Sequence, residues 1–252
     1  MSGDIVNECI QNKKVNKMKN IIATLFSKTL LILGLLMITA TVQAACVDNV
    51  VLVHGNTGSP SDWDNTYELL LANGYSSSQI YRPVWGSGYA SNNNHSGSEE
   101  TPVSSDITAA LNSSCTGKID VIGHSMGVTL AAQQIIKLDK SSQVDTFVGV
   151  AGAYRGLWTC GAYPWNVWTP TCGTNGLSVS SPFLNWLGTK VIANRIYSIK
   201  SWSDQIVCGS GVCTVGGIHS SRIPNENASY TYALGHFGLQ TNTASKQVEL
   251  IQ

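Results

Sequence analysis

Ser125 lies between two glycines in Gly123-His124-Ser125-Met126-Gly127, after the apolar run at 119–122 and ahead of a helical pattern. A sharp strand-to-helix turn lifts a serine oxygen above a sheet, and flanking glycines permit the close backbone approach that this requires. A serine hydroxyl at its own pKa is a poor nucleophile toward a carbonyl carbon. It needs a base, and a third group must orient that base. On such a turn the acid and then the histidine follow the serine along the chain. Only His219 and His236 qualify as base. His236, in ALGHFGL ahead of the last helical pattern, is the expected base, because a loop at the carboxyl edge of a sheet brings it back over the serine. His219 sits in a serine-rich loop with no helix behind it.

Four acids lie between Ser125 and His236: Asp139, Asp145, Asp204 and Glu226. Asp139 ends the helix that leaves the serine and Asp145 precedes a strand, which places both at the opposite edge. Glu226 reads as a solvated loop charge. Asp204 directly follows the strand-like run at 194–201 and is the expected acid. Two backbone N–H groups must also face the oxygen that gains charge. The residue after the nucleophile, Met126, supplies one. Asn56, in VHGNTGSP after the first strand, supplies the other. His54 precedes Ser125 and reads as a structural histidine.

These residues must be carried by regular elements. Short runs rich in β-branched and aromatic residues occur at 49–55, 79–86, 118–125, 145–152 and 194–201. Near-continuous apolar runs of this kind suit strands covered on both faces. Helical patterns alternate with them at 62–71, at 102–114 behind Thr101-Pro102 as cap and first residue, at 126–138, and at 244–251. The alternation implies an α/β fold, a mostly parallel sheet with helices on both faces. Residues 87–100, rich in Gly and Asn, read as a long surface loop.

Residues 1–28 carry Lys13, Lys14, Lys17, Lys19 and Lys28, and TLLILGLLMITATV follows at 29–42. Val42 and Ala44 occupy the −3 and −1 positions of a cut, so residues 1–44 are expected to be a signal peptide, with a single catalytic domain at 45–252 and a secreted product, extracellular or periplasmic. Met18 offers a second start. Ten basic and thirteen acidic residues remain after the cut, a charge of −3 that recruits no nucleic acid. The six remaining cysteines are expected to form disulfides in an oxidising compartment. Cys160–Cys172 and Cys208–Cys213 would close short Gly-rich loops. Cys46 and Cys115 remain, each just before a strand-like run, and bridge if those strands are parallel neighbours. Clustered Cys/His spacing for a metal is absent from the sequence.

The segments VLVHGNTG, IDVIGHSMGV, VAGAYRGLWTCG, SWSDQIV and ALGHFGL, in that order, resemble the class 2 family of secreted bacterial lipases and the related extracellular polyester depolymerases. The resemblance spans 48–252. It implies the α/β-hydrolase fold, with Ser125 as nucleophile, Asp204 as acid, His236 as base and Asn56 and Met126 as oxyanion donors. It implies no cofactor and no metal. The implied partner is a lipid or polyester substrate, met by a monomer with transient contact at a lipid interface. The smallest family members connect the AGA strand to the acid strand briefly; residues 153–193 here are longer and aromatic. Trp158, Tyr163, Trp165 and Trp168 either form an apolar platform for substrate or pack inward around Cys160–Cys172 with Phe183 and Trp186. The expected activity is that of a serine ester hydrolase, a lipase or carboxylesterase. The alternatives are a polyester depolymerase and a non-catalytic binding protein on the same scaffold.

Overall fold

Residues that alternate along an extended chain point to opposite faces, and here both faces are apolar. The computed structural model describes residues 46–252, all within one unit, Ala44–Gln252. The expected signal peptide at 1–44 lies outside the described residues. Strands β1 (Asn49–Val53), β2 (Ile80–Tyr81), β3 (Ile119–His124), β4 (Val144–Val150), β7 (Arg195–Lys200) and β10 (Ala228–Thr231) form one sheet in the order β10-β7-β4-β3-β1-β2. Every pairing is parallel. Val51, Val53, Ile119 and Val121 face the helices α2 (Glu100–Ser113) and α3 (Met126–Lys137) through Val103, Ile107, Leu130 and Ile135. Val50, Leu52 and Ile122 face the other way, against Leu70 of α1 (Asp64–Ala72) and Val248 and Ile251 of α6 (Ala244–Ile251).

Chain order sets the location of the site. From β1 the chain moves outward to β2, then crosses to β3 on the other side of β1. The connections diverge between β1 and β3, and a crevice opens there beyond the carboxyl ends of the strands. Ser125 follows β3 and Asn56 follows β1, so both stand at this point. Asp204 follows β7, and His236 opens α5 (His236–Asn242) after β10. Strand β10, with only four residues, has no apolar run to announce it.

Several elements depart from the sequence reading. The run at 79–86 keeps only two strand residues, because Pro83 has no N–H for a ladder. Helix α2 begins at Glu100, so Thr101 and Pro102 lie inside its first turn, where no backbone N–H is required. The polar segment at 87–100 runs over the surface for most of its length, but it turns Asn93 and His95 inward, where both are fully buried. Between β4 and β7 the insertion forms β5 (Leu157–Ala162), paired with β6 (Ser178–Val179), and α4 (Pro182–Leu187). The hairpin of β8 (Thr214–Val215) and β9 (Ile218–His219) follows the acid. Three disulfides join Cys46 to Cys115, Cys160 to Cys172 and Cys208 to Cys213. The first staples the amino ends of the neighbouring strands β1 and β3 across 69 residues.

At that amino edge Asp120 is buried within β3, and its Oδ1 accepts the Thr146 N–H at 2.9 Å. Burial, then the charges of Asp48 and Asp145, push its carboxyl up to about 8. The folded protein therefore keeps a proton that the unfolded chain releases near pH 4. Stability from this group falls as pH rises from about 4 to about 8. Asp120→Asn removes the dependence. Thermal melts should show the variant matching the native protein near pH 4 and exceeding it at pH 8 by at least about 1.4 kcal/mol, the equivalent of one pKa unit. Parallel curves across that range would refute the assignment.

Candidate active site

One residue makes the turn between β3 and α3. Ser125 adopts φ 54 and ψ −127, a conformation that L-residues avoid. Its N–H donates to the Val150 carbonyl at 2.9 Å, and its own carbonyl accepts from the Val128 N–H at 3.1 Å. The glycines answer a steric demand. A Cβ on Gly127 would lie 2.2 Å from the His54 carbonyl oxygen and 2.5 Å from that of Val53. A Cβ on Gly123 would lie 2.8 Å from the Val128 Cα. The amino end of α3 thus presses directly on the end of β1.

Asp204 is fully buried, and both its oxygens lie 2.9 Å from His236 Nδ1. Its Oδ1 also accepts the Ile206 and Val207 N–H groups at 2.9 Å each. Burial alone would raise this carboxyl. The bonds from His236 and the two backbone N–H groups outweigh burial and hold it below its ordinary value, so it is ionised at neutral pH. A carboxylate only accepts, which places the proton on Nδ1 and leaves Nε2 as the basic position.

His236 is fixed at its backbone as well. Its N–H donates to Gln205 Oε1 at 2.9 Å, and its carbonyl lies 3.2 Å from His124 Nε2. Burial first, and the neighbouring His236 second, push His124 down to about 3. His124 is therefore neutral with its proton on Nε2, pointed at that carbonyl. The sequence reading assigned no role to Gln205 or His124. Gln205 is legible only as a neighbour of the expected acid.

Ser125 and His236 front the same cavity of about 500 Å³, walled by residues 55–59, Asp62, Ala90, His124, Ile206, Phe237, Gln240 and Thr241. Asn56 lies on this wall in the turn closed by the bond from Gly58 N–H to Gly55 O, where Thr57 has φ 61. Met126 is the first residue of α3, so its N–H has no acceptor within the helix, and the positive end of the helix dipole lies there. Its side chain is buried in the core. None of Trp158, Tyr163, Trp165 and Trp168 reaches the cavity wall; Ala90, Ile206 and Phe237 supply its apolar surface. Trp158 donates its ring N–H to the Thr214 carbonyl at 2.8 Å, while Trp165 and Trp168 are 87% and 90% exposed. Phe183 and Trp186 pack inward.

The remaining polar candidates have structural partners. Trp85 N–H approaches His54 Nε2 at 3.4 Å, and His54 Nδ1 lies 2.8 Å from the Gly55 carbonyl, which fits a neutral ring with its proton on Nδ1. His219 lies 3.0 Å from the Ser201 carbonyl and accepts the Ser221 N–H at 3.1 Å. Asp145 pairs with Lys118 and Arg195 at the far edge. The side chain of Glu226 is covered rather than solvated, paired with Arg222 and accepting the Ile223 N–H.

The pattern of the family described as Lipase (class 2) matches residues 48–249. No curated protein matches this sequence. Among solved structures, the mature form of the lipase BlEst2 from Bacillus licheniformis is similar at a TM-score of 0.59 and 14% identity, over 82% of this chain and 93% of that one. Lipase B of Aspergillus fumigatus is similar at a TM-score of 0.51 and 15% identity, over 79% of this chain and 46% of that one. At such identities the likeness is one of fold, the α/β-hydrolase fold.

The contact of Gly127 with β1 yields a direct test. Gly127→Ala must move the Val53 and His54 carbonyls, and overpacking of this kind typically costs about 1–3 kcal/mol. Gly58→Ala meets only the movable end of Asp62 and two looser contacts. Urea titrations should find the first variant far less stable than the second. Equal midpoints would exclude close packing as the reason for Gly127.

Proposed function

The chain belongs to the class 2 lipase family, and from this premise we propose that it is a secreted serine ester hydrolase that forms an acyl-enzyme on Ser125. The family membership itself supports a hydrolase acting on esters. The bond between Asp204 and His236 Nδ1, beside the cavity that Ser125 fronts, carries the finer reading.

In the proposed mechanism Ser125 Oγ attacks the ester carbonyl carbon and its proton passes to His236 Nε2. Ionised Asp204 stabilises the imidazolium and fixes its orientation. The Asn56 and Met126 N–H groups receive the oxyanion, helped by the dipole of α3. The tetrahedral intermediate collapses, and the alcohol leaves with the proton from His236. Water, deprotonated by the same nitrogen, then cleaves the acyl-enzyme and frees the acid. Ala90, Ile206 and Phe237 on the cavity wall favour lipid-like esters over charged ones. Three disulfides favour an oxidising compartment, in keeping with export after removal of residues 1–44.

A second reading, a polyester depolymerase, rests on the exposure of Trp165 and Trp168, which present flat apolar rings to a solid surface. Parallel rates on tributyrin emulsion and polyester film separate the two, and Trp165→Ala with Trp168→Ala should slow film hydrolysis alone if the second holds. For the shared chemistry, Ser125→Ala should lower p-nitrophenyl butyrate hydrolysis by roughly a thousandfold or more, with the native melting temperature retained. Native activity in this variant would overturn the assignment.

A further inference from the structure

The turn that presents the Asn56 N–H is held from outside by a side chain that the reaction does not touch. Asn93 is fully buried, beside the wall residue Ala90. Its Oδ1 accepts from the Ser87 N–H at 2.7 Å and the Ser87 hydroxyl at 2.9 Å. A backbone N–H only donates, which fixes the orientation of the Asn93 amide. Its Nδ2 therefore faces outward from this pair, donating to Asn56 Oδ1 at 2.6 Å and to the Ser87 carbonyl at 2.9 Å. The Asn56 amide is fixed by the same logic, since its Nδ2 donates to the Ala90 carbonyl at 3.0 Å. Both ends of the Asn56 side chain are thus taken by the segment 90–93, while its backbone N–H, on a residue of the cavity wall, makes no hydrogen bond among the described residues.

We infer that Asn93 is a positioning residue that sets the Asn56 N–H for the developing oxyanion, an inference that rests on the oxyanion role proposed above. The segment 90–93 is in turn anchored to the aromatic insertion. Thr171 Oγ1 lies 2.5 Å from the Ala90 carbonyl and 2.6 Å from that of Asn93, and its single proton serves one at a time. Thr171 is the neighbour of Cys172, so the Cys160–Cys172 disulfide fixes the outer end of the clamp. Gly86, with φ 72, makes room for the amide, as a Cβ there would lie 3.1 Å from Asn93 Nδ2. Removing an oxyanion donor outright costs about 10²–10³ in kcat. A donor that is present but no longer held costs less.

The test compares native protein with Ser125→Ala, Asn93→Ala, Asn56→Ala, the double variant Asn56→Ala/Asn93→Ala, and Thr171→Val. It reads kcat and KM on p-nitrophenyl butyrate, inactivation by a p-nitrophenyl alkylphosphonate, and melting temperature. Asn93→Ala should lower kcat and the inactivation rate by roughly tenfold or more, with KM changed less than twofold. Asn56→Ala should fall by a similar factor, and the double variant should match the slower single variant, because both act through one N–H. Thr171→Val should fall in the same direction by a smaller factor. Multiplying losses in the double variant, or a rise in KM with kcat retained, would reduce Asn93 to a structural residue and overturn the inference. So would a folded Asn93→Ala with native kcat while Ser125→Ala is inactive. Native activity in Ser125→Ala would instead remove the ester hydrolase reading itself. If Asn93→Ala does not fold, Asn56→Ala and Thr171→Val decide alone, and native kcat in both overturns the inference.

Discussion

The first turn of α3 lies against the carbonyl groups that end β1, at a distance that admits no side chain at Gly127. Much else follows from this contact. A helix so close to the sheet must be entered in a single residue, which forces Ser125 into its positive-φ conformation. It also brings the free N–H groups of the helix beside the loop leaving β1, where Asn56 stands. The proposed nucleophile and both proposed oxyanion donors thus derive their places from one packing event. Strain at Ser125 is offset by the ladder bonds of β3 and by the bond to Val150.

His236 has no such contact, because it arrives from the far side of the sheet, after the four-residue edge strand β10. Three separate bonds replace it: Asp204 at Nδ1, Gln205 at the backbone N–H and His124 at the carbonyl. His124 shows how burial is used. In water its ring would titrate near neutrality. In the core, desolvation keeps it neutral, which fixes its proton where the His236 carbonyl needs a donor. The same device recurs at His95, pushed down to about 3 by burial, between the Asn175 carbonyl and the Thr129 hydroxyl.

The parallel sheet, its helices and the Ser125 turn are legible in the sequence because each is governed by local rules. Strand periodicity, a glycine on either side of a turn, and acid and base beyond the last strands all leave marks within a few residues. What was not legible depends on partners far along the chain. Asn93 sits in a stretch whose composition reads as solvated, and its burial follows from bonds to Ser87, Asn56 and Thr171, up to 78 residues away. Strand β10 reads as loop because its four residues are only partly covered. The tryptophans reveal apolar surface but not its direction. Phe183 and Trp186 turned inward, whereas Trp165 and Trp168 turned to water and left the cavity wall to Ile206 and Phe237.

The two edges of the sheet are chemically distinct. The carboxyl edge carries every residue of the candidate site. The amino edge carries Asp120, the ion pairs of Asp145 and the Cys46–Cys115 staple, and the described chain also begins there. A molecule fixed to a bead through the amino edge would present its cleft to the bulk liquid. Substitutions that harden that edge against heat can accumulate without disturbing the geometry around Ser125, so durability and turnover are open to separate adjustment in one small fold.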